Sequence, residues 1–306
     1  YGVMREQRLF LVNRGMLFIA ARAGVAASVI ALFSPGCATM DAAGLRPSTD
    51  LVRPSHNQPL PEIAGPEAGF RSAMGAMNAG DPEQAALYAR GVIERFPDSP
   101  WSRRSLFLLG KTFIARNMTR EAEETLVRVA AEYPDYADYA LFSLAEHLKA
   151  RQRLSDAAEL WQRLVTHYPS SLLVPRSLVL RGQALADGGA FQEATAAFEQ
   201  LLREYPRSDT APDAAFGLGN ARVGIGDLAG AGRAFLLVKI QYPSQERDQT
   251  ADRALANLTQ RGIEAPRMTA DEFVERGRNL FRTSQYDGAY EAFMAALNRD
   301  PGHARK

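Results

Sequence analysis

The chain has 306 residues, of which 46% are apolar and 23% charged, an ordinary globular composition whose length alone suggests about two domains. The formal net charge of +1 lacks the basic excess of nucleic-acid-binding proteins. A single cysteine excludes an intrachain disulfide, and with four histidines it leaves little material for a metal site. Because the HExxH, G-x-S-x-G, P-loop and dinucleotide-turn motifs are also absent, we expect no cofactor, no metal and no enzymatic activity.

Residues 1–37 have the layout of a secretory signal. Arginines precede an apolar run over residues 23–33, which is long enough for export and too short for a comfortable membrane span. Residues 34–37, Ser-Pro-Gly-Cys, resemble a bacterial lipobox, which implies cleavage before Cys37 and lipidation of its thiol. Ala38 after the cysteine favours the outer membrane. The alternative is ordinary signal cleavage near Ala38 with Cys37 discarded.

Residues 38–65 predict a disordered tether. Four prolines lie there, and a fifth follows at Pro66, among serine, asparagine and glutamine, without an apolar period. Such a segment buries too little surface to offset the entropy of ordering it. We therefore expect the folded part to begin at about residue 66.

An aromatic-proline pair then recurs at a nearly fixed interval. The prolines are separated by 37, 35, 37 and 37 residues, a period typical of solenoid proteins. The pairs are Phe96-Pro97, Tyr133-Pro134, Tyr168-Pro169, Tyr205-Pro206 and Tyr242-Pro243.

Three further positions repeat when the copies are aligned on these prolines, and a sixth copy fits with Pro301. Alanine lies twelve residues before each proline: Ala85, Ala122, Ala157, Ala194, Ala231 and Ala289. Eight residues before it lie Ala89, Leu126, Trp161, Phe198, Phe235 and Phe293. A small residue lies twenty-four before it: Ala73, Gly110, Ala145, Gly182, Gly219 and Gly277.

This pattern predicts a helix–turn–helix unit in each copy. The small residue suits two helices that cross closely, and the set in the second half forms one apolar helical face. The proline ends the second helix because it lacks an N–H and disfavours helix in the preceding residue. The turns are expected at residues 116–117, 151–152, 187–189, 226–227 and 283–284.

The column pattern resembles the tetratricopeptide repeat over residues 66 to about 303. The resemblance implies an all-α solenoid of helical hairpins, wound as a right-handed superhelix, that acts as a protein-binding scaffold. Residues 248–262 read as one additional helix. That helix is either a cap that closes a solenoid over 66–262, with a further unit over 270–306, or a kink in one superhelix.

Four of the junctions between copies carry a serine after the proline, as in Phe96-Pro97-Asp98-Ser99, which is a helix N-cap layout. Long repeats with this junction resemble those of bacterial envelope proteins of the BamD and CpoB kind. This resemblance implies a scaffold in outer-membrane assembly or in envelope and wall coordination, with other envelope proteins as partners. With the lipobox, it implies a periplasmic lipoprotein anchored to the outer membrane.

By the register of the family, exposed positions of each first helix line a concave groove. The groove residues expected here are Arg104, Phe107, Lys111, Tyr139, Phe142, Arg176, Phe216 and Asn220. Aromatic side chains among mixed charges suit an extended peptide or a helix with apolar anchors. The alternative is that the four aromatic side chains pack between neighbouring units.

Other functional classes stay open at this point. The start at Tyr1 and the abrupt end at Lys306 predict a piece of a longer chain. Some lytic murein transglycosylases carry a helical superhelix ahead of the catalytic domain, so this chain could be the non-catalytic region of such an enzyme. A third alternative is a cytosolic repeat protein whose start was misassigned.

Overall fold

The computed structural model describes residues 59–302, which belong to one compact unit of thirteen α-helices without strands. The helices are α1 (Pro66–Asn78), α2 (Pro82–Arg95), α3 (Pro100–Ala115), α4 (Thr119–Glu132), α5 (Pro134–Ala150), α6 (Leu154–His167), α7 (Val174–Asp187), α8 (Phe191–Glu204), α9 (Ala211–Gly224), α10 (Leu228–Gln241), α11 (Gln245–Gln260), α12 (Ala270–Arg282) and α13 (Tyr286–Arg299). The predicted all-α class is confirmed. The signal segment, Cys37 and the tether as far as residue 58 lie outside the described residues.

The helices pair as the repeat predicts. The six A helices are α1, α3, α5, α7, α9 and α12, and each packs against the B helix that follows it: α2, α4, α6, α8, α10 and α13. Successive hairpins stack through contacts of each B helix with the next A helix, up to α9. Of these helices, none is both long and apolar enough to cross a bilayer.

Proline and the preceding aromatic residue end the B helices. Each of the six B helices stops two residues before its proline, with the aromatic residue, or Asp300 in the last copy, at the C-cap. Proline at the first turns of α1, α3 and α5 also favours helix initiation, since the N–H that it lacks is unbonded there anyway. At Pro134 a single proline thus follows the end of one unit and begins the next.

The turn inside each hairpin uses one left-handed residue at the same register. These residues are Gly80, Asn117, Gln152, Gly189, Gly226 and Ser284, with φ between 57° and 82°. Glycine adopts this conformation without strain, whereas the other three side chains hold it at a cost of about 1 kcal/mol. The five predicted turns are therefore confirmed, and a sixth lies at Gly80.

A large side chain of the B helix fills the space that the small residue of the A helix leaves. A β-carbon added at Gly182 would lie 2.5 Å from Phe198 Cε1, and one at Gly219 would lie 2.3 Å from Phe235 Cε1. Phe198 also contacts the next A helix, where a β-carbon at Gly217 would lie 2.6 Å from its ring. The ring of Phe198 therefore sets the spacing between its own unit and the next.

Helix α10 is covered on three sides, which explains why it carries apolar residues on most of its surface. It packs against α9, against α11 through Phe235 and Leu258, and against α12. Leu236 and Ile240 also meet Met268, in the loop before α12. Helix α11 thus packs on α10 after the fifth hairpin. Helix α12 also packs on α10, so the sixth hairpin contacts the fifth directly.

Hydrogen bonds and ion pairs hold α12 in place. Arg276 forms a two-point pair with Asp248 of α11 (2.6 and 3.1 Å) and donates to the carbonyl of Lys239 on α10. Glu272 accepts from Arg233 Nη2 at 2.7 Å. Burial alone would raise the pKa of Glu272, but the hydrogen bonds from Thr269 and Arg233 outweigh it and hold that pKa below its usual value.

The packed part of the chain begins slightly before the predicted end of the tether. Arg95 donates to the carbonyls of Pro61 (2.9 Å) and Leu60 (3.4 Å), and Ile63 lies against Gly69 and Gly91. Residues 59–65 therefore line the first hairpin, so the boundary predicted at residue 66 is a few residues too late.

The serine junctions differ from the prediction in two units. Ser99 caps α3 as expected, since its Oγ accepts from Trp101 N at 3.2 Å. Ser171 and Ser208 likewise accept from the N–H two residues onward, but α7 and α9 begin three residues after them, whereas α3 begins directly after Ser99. There the serine forms a local turn ahead of the helix.

Candidate protein-binding face

The polar side chains of successive A helices bond to one another. Lys111 Nζ lies 3.5 Å from Ser143 Oγ, linking α3 to α5. Between α5 and α7, Lys149 Nζ lies 3.3 Å from Gln183 Oε1 and Arg176 Nη2 lies 3.1 Å from Glu146 Oε1. These bonds define the A face, the surface formed by the exposed register positions of α3, α5, α7 and α9.

Arg104 begins this face on α3. Its guanidinium lies 4.5 Å from the centre of the Trp101 ring, and its Nε donates to the hydroxyl of Tyr136 on α5 at 3.1 Å. A guanidinium has five N–H donors, so most of its capacity is left for a ligand. The ring beneath it holds the charged group in one orientation.

Arg176 repeats this arrangement on α7. Its guanidinium lies 5.3 Å from the centre of the Phe142 ring, and it is exposed although it pairs with Glu146. Phe142 itself is only 7% exposed. The structure therefore brings a predicted cation and a predicted ring together, but the ring is part of the packing and not a free contact.

The four predicted aromatic side chains differ in exposure. Tyr139 is 49% exposed, whereas Phe107 and Phe216 are half-buried and Phe142 is buried. Phe216 packs 5.3 Å from the ring of Phe235. The three phenylalanines therefore belong to the packing of the helices, Phe216 within its own hairpin. Tyr139 is the aromatic side chain that a partner could reach.

Of the remaining predicted residues, Lys111 is half-buried and engaged with the next unit, and Asn220 is exposed on α9. One register position is exposed in all four units. It carries Arg104, Tyr139, Arg176 and Asp213, on α3, α5, α7 and α9. The structure thus places a half-exposed tyrosine between two cations in consecutive units, with a carboxylate after them.

A shallow cleft of about 360 Å³ lies on the turn side of α5–α7. Its lining includes Leu154, Leu180 and Trp161, together with the charged groups of Glu146, Lys149 and Asp187. Trp161 is fully buried and its Nε1 has no hydrogen-bond partner. The cleft is too open to enclose a small molecule, but it offers an apolar recess to a side chain of a bound segment.

His147 is the buried titratable group nearest to this region. It is 6% exposed, and its Nε2 has no hydrogen-bond partner. Burial lowers the pKa of its imidazole, and the cations of Arg151 and Arg153 lower it further. His147 is therefore held neutral at neutral pH, as a packing residue. Within residues 59–302 no group of histidine, cysteine, aspartate and glutamate could hold a metal ion.

Sequence reasoning missed two features. Tyr136 was not recognised as the hydrogen-bond partner of Arg104, since the partner lies in another unit. The exposed side chains Phe281, Tyr286, Tyr290 and Met294 of the last unit were also missed. The sequence contains a signal for the exposed residues of α13, because Tyr286, Tyr290 and Met294 recur every fourth residue.

Models of the tetratricopeptide repeat match the chain in three overlapping stretches: residues 76–144 for one model, and residues 142–209 and 179–246 for another. Together these stretches span residues 76–246, more than half of the chain. None of the curated proteins matches it in sequence.

Several solved structures are similar in fold. A tetratricopeptide repeat protein from Parabacteroides merdae shares 15% identity and a TM-score of 0.49, with coverage of 77% of this chain and 93% of that one. PilF from Pseudomonas aeruginosa shares 17% identity and a TM-score of 0.42, with coverage of 78% and 92%. The kinesin-light-chain-like repeats of Podosopora anserina share 19% identity and a TM-score of 0.46, with coverage of 65% and 100%.

The repeat columns, the hairpin packing and the matching models agree with one another. Tetratricopeptide-repeat proteins bind other proteins and are in general scaffolds without catalytic activity. The chain belongs to the tetratricopeptide-repeat family.

Proposed function

We propose that this protein is a non-catalytic scaffold of the bacterial cell envelope that binds a segment of another envelope protein on its A face. The observation that carries the proposal is the exposed row of Arg104, Tyr139 and Arg176 on three consecutive units. Each arginine is oriented by an aromatic ring, and Tyr139 between them is an exposed apolar anchor.

The chemistry of this row defines the ligand. Two cations on either side of an aromatic side chain suit a segment with one apolar residue between acidic residues. Such a segment forms charge-assisted hydrogen bonds to both guanidinium groups and packs its apolar residue on Tyr139. Asp213 on α9 adds a preference for a basic or neutral residue at the next position of the ligand.

The binding experiment exploits the two arginines. A photo-crosslinking amino acid in place of Tyr139, in the full chain expressed in a Gram-negative host, is expected to give discrete crosslinked products. Adding Arg104→Glu and Arg176→Glu should reduce their yield at least tenfold, because each change turns attraction into repulsion.

The matched control is Arg120→Glu with Arg203→Glu, which makes the same change in net charge at two exposed, ion-paired positions on B helices. This control should leave the crosslinking unchanged. Equal losses in both double variants would show that net charge alone matters and would refute a role for the A face.

We further propose that the protein is anchored to the periplasmic side of the outer membrane by a lipid on Cys37, in outer-membrane assembly or in coordination of the envelope and wall. The support is the charged and apolar order of residues 1–37 with the small residues before the cysteine. Several acyl chains on one residue give a stable anchor.

Cells labelled with radioactive palmitate test this anchor. The wild-type chain should carry label and sediment with outer membranes, whereas Cys37→Ser should carry none and appear in the periplasmic fraction. An unlabelled wild-type protein whose mature N-terminus lies after Cys37 would refute lipidation and favour ordinary signal cleavage.

A further inference from the structure

The cleft between the third and fourth hairpins is open where the equivalent space in the next pair of hairpins is filled. It is lined by Leu154 at the start of α6, Ala150 at the end of α5 and Asp187 at the end of α7. When the units are aligned on their junction prolines, Phe191 takes the position of Leu154, and Gly224 takes that of Asp187. A β-carbon added at Gly224 would lie 2.5 Å from the ring of Phe191. A ring therefore occupies the space between α8 and α9, whereas the smaller leucine leaves a cleft between α6 and α7.

The helix ends at the cleft give it a negative electrostatic environment. Helices α5 and α7 both end there, and the aligned peptide dipoles of a helix leave a partial negative charge at its C-terminal end. The last turn of α7 contains no basic residue to offset this charge. Asp187 is exposed at that end, and no residue within 59–302 forms an ion pair with its carboxylate.

Two charged side chains of α5 complete the lining. Glu146 adds a second carboxylate, which Arg176 Nη2 approaches to 3.1 Å. Among the residues that line the cleft, Lys149 is the one cation, and its Nζ lies 3.3 Å from Gln183 Oε1. Two carboxylates and two helix ends thus surround a single ammonium group, so the cleft attracts a further cation and repels an anion.

The remaining lining of the cleft is largely apolar. Leu154, Leu180 and Trp161 contribute this surface. Lysine and arginine combine a long aliphatic stem with a charged end, and they bury the stem on apolar surface while the charged end contacts polar groups. Trp161 also has a buried Nε1–H without a hydrogen-bond partner, and buried donors are normally paired. This donor suits a carbonyl oxygen of the same ligand.

We propose that this cleft receives a lysine or arginine side chain of the segment that binds on the A face. The inference rests on the proposed function, and it adds a basic residue to the acidic and apolar residues that Arg104, Tyr139 and Arg176 select. Arg176 and Asp187 are eleven residues apart on α7, which corresponds to about 16 Å along the helix. An extended segment covers that distance with about five residues. The basic residue is therefore expected about five positions from the acidic residue that pairs with Arg176.

The first test uses the crosslinked product that a photo-reactive residue in place of Tyr139 gives in the full chain. Asp187→Lys should reduce its yield at least fivefold, because the new ammonium group repels the cationic side chain. Asp209→Lys is the matched control, since Asp209 is also exposed but lies outside the cleft, and it should leave the yield unchanged. Wild-type yield in Asp187→Lys, or equal losses in both variants, would overturn the proposal. In the first case the dependence on Arg104 and Arg176 would still support the A face.

A second variant closes the cleft with residues that the chain already uses. Leu154→Phe with Asp187→Gly reproduces the pair of Phe191 and Gly224 in the next hairpins. It should reduce the crosslinking yield as strongly as Asp187→Lys, and thermal unfolding checks that the stack is intact. An intact stack with the full crosslinking yield would contradict the proposal.

A peptide probe makes the test independent of the natural partner. Trp101→Phe leaves Trp161 as the single tryptophan of the chain, and its fluorescence reports on the cleft. The probe is acetyl-Glu-Gly-Ser-Gly-Ser-Lys-amide, and its control carries norleucine in place of lysine. The lysine peptide should bind at least fivefold more tightly, and Asp187→Lys should remove this preference. Equal affinity for the two peptides, or no response to either, would overturn the proposal even where Tyr139 crosslinks to a partner.

The competing occupant is a basic residue of the chain itself. Residues 38–58 contain Arg46 and Arg53. Arg46→Ala with Arg53→Ala should leave the affinity for the lysine peptide unchanged. A higher affinity in this variant would assign the cleft to the chain's own segment and overturn the docking of a partner.

Discussion

The packing of Phe198 between glycines of two units predicts that a single methyl group will destabilise the stack. Replacing Gly182 with alanine in the middle of α7 should by itself add about 0.5–1 kcal/mol of stability, because alanine loses less backbone entropy in a helix. The new β-carbon would, however, lie 2.5 Å from the ring of Phe198, where a real contact needs about 3.5–4 Å. Overpacking of this kind costs about 1–3 kcal/mol.

The net expectation for Gly182→Ala is a loss of about 0.5–2 kcal/mol in the free energy of unfolding. Gly75→Ala is the matched control, since Gly75 also lies within a helix and nothing lies within 4 Å of its added β-carbon. That variant should be more stable than the wild type. Urea denaturation followed by far-UV circular dichroism measures both.

A second variant tests the cause directly. In the Phe198→Leu background, Gly182→Ala should cost clearly less than in the wild type, because the smaller side chain can move away from the new methyl group. If Gly182→Ala and Gly75→Ala change the unfolding midpoint equally, the ring of Phe198 does not set the spacing of the units and the packing argument is wrong.

Two further predictions concern the cap and the buried imidazole. Arg276→Met should loosen α12 and α13 from α10, because it leaves the largely buried carboxylate of Asp248 without its cation, at a cost of about 1.5–3 kcal/mol. Hydrogen exchange should become faster in α12 and α13 and stay unchanged in α5. An equal change of exchange in all helices would contradict this prediction. Because the pKa of His147 is lowered in the folded state, the unfolded chain takes up a proton first as the pH falls through about 6.5, so folding stability is lost below that pH. Urea midpoints at pH 7.5 and 5.5 should therefore differ less in His147→Gln than in the wild type, whereas His167→Gln, at an exposed position, should behave like the wild type.

The repeat columns predict most of the hairpin fold because they record local physics. At the end of each B helix the junction proline and the residue before it stop the helix, and Ala85 or Ala122 must be small because two helices touch there. All six repeats of this alanine are buried. The ring that fills the space beside Gly182 also follows from the sequence, since both residues belong to one unit.

What the sequence leaves open depends on contacts between units. The repeat period does not show that Phe142 supports the cation of Arg176. It also does not show that α12 packs on α10 instead of continuing the regular stack after α11. The placement of residues 59–65 likewise depends on contacts of Ile63 and on Arg95, which is thirty-odd residues away. Such contacts join residues that no local propensity relates, so only the folded chain reveals them.

The packed interior of the stack and its exposed A face differ in how firmly their side chains are held. Around Phe198 and Trp161 close-packed side chains leave no alternative arrangement, since any displacement opens a void or a clash. The exposed pair of Arg176 and Glu146 contributes at most about 1 kcal/mol to stability. Arg176 can therefore exchange the carboxylate of Glu146 for another carboxylate with almost no loss of free energy. A ligand can therefore rearrange the side chains of the A face one at a time while the packed hairpins beneath them stay rigid. Recognition then requires no bending of the solenoid.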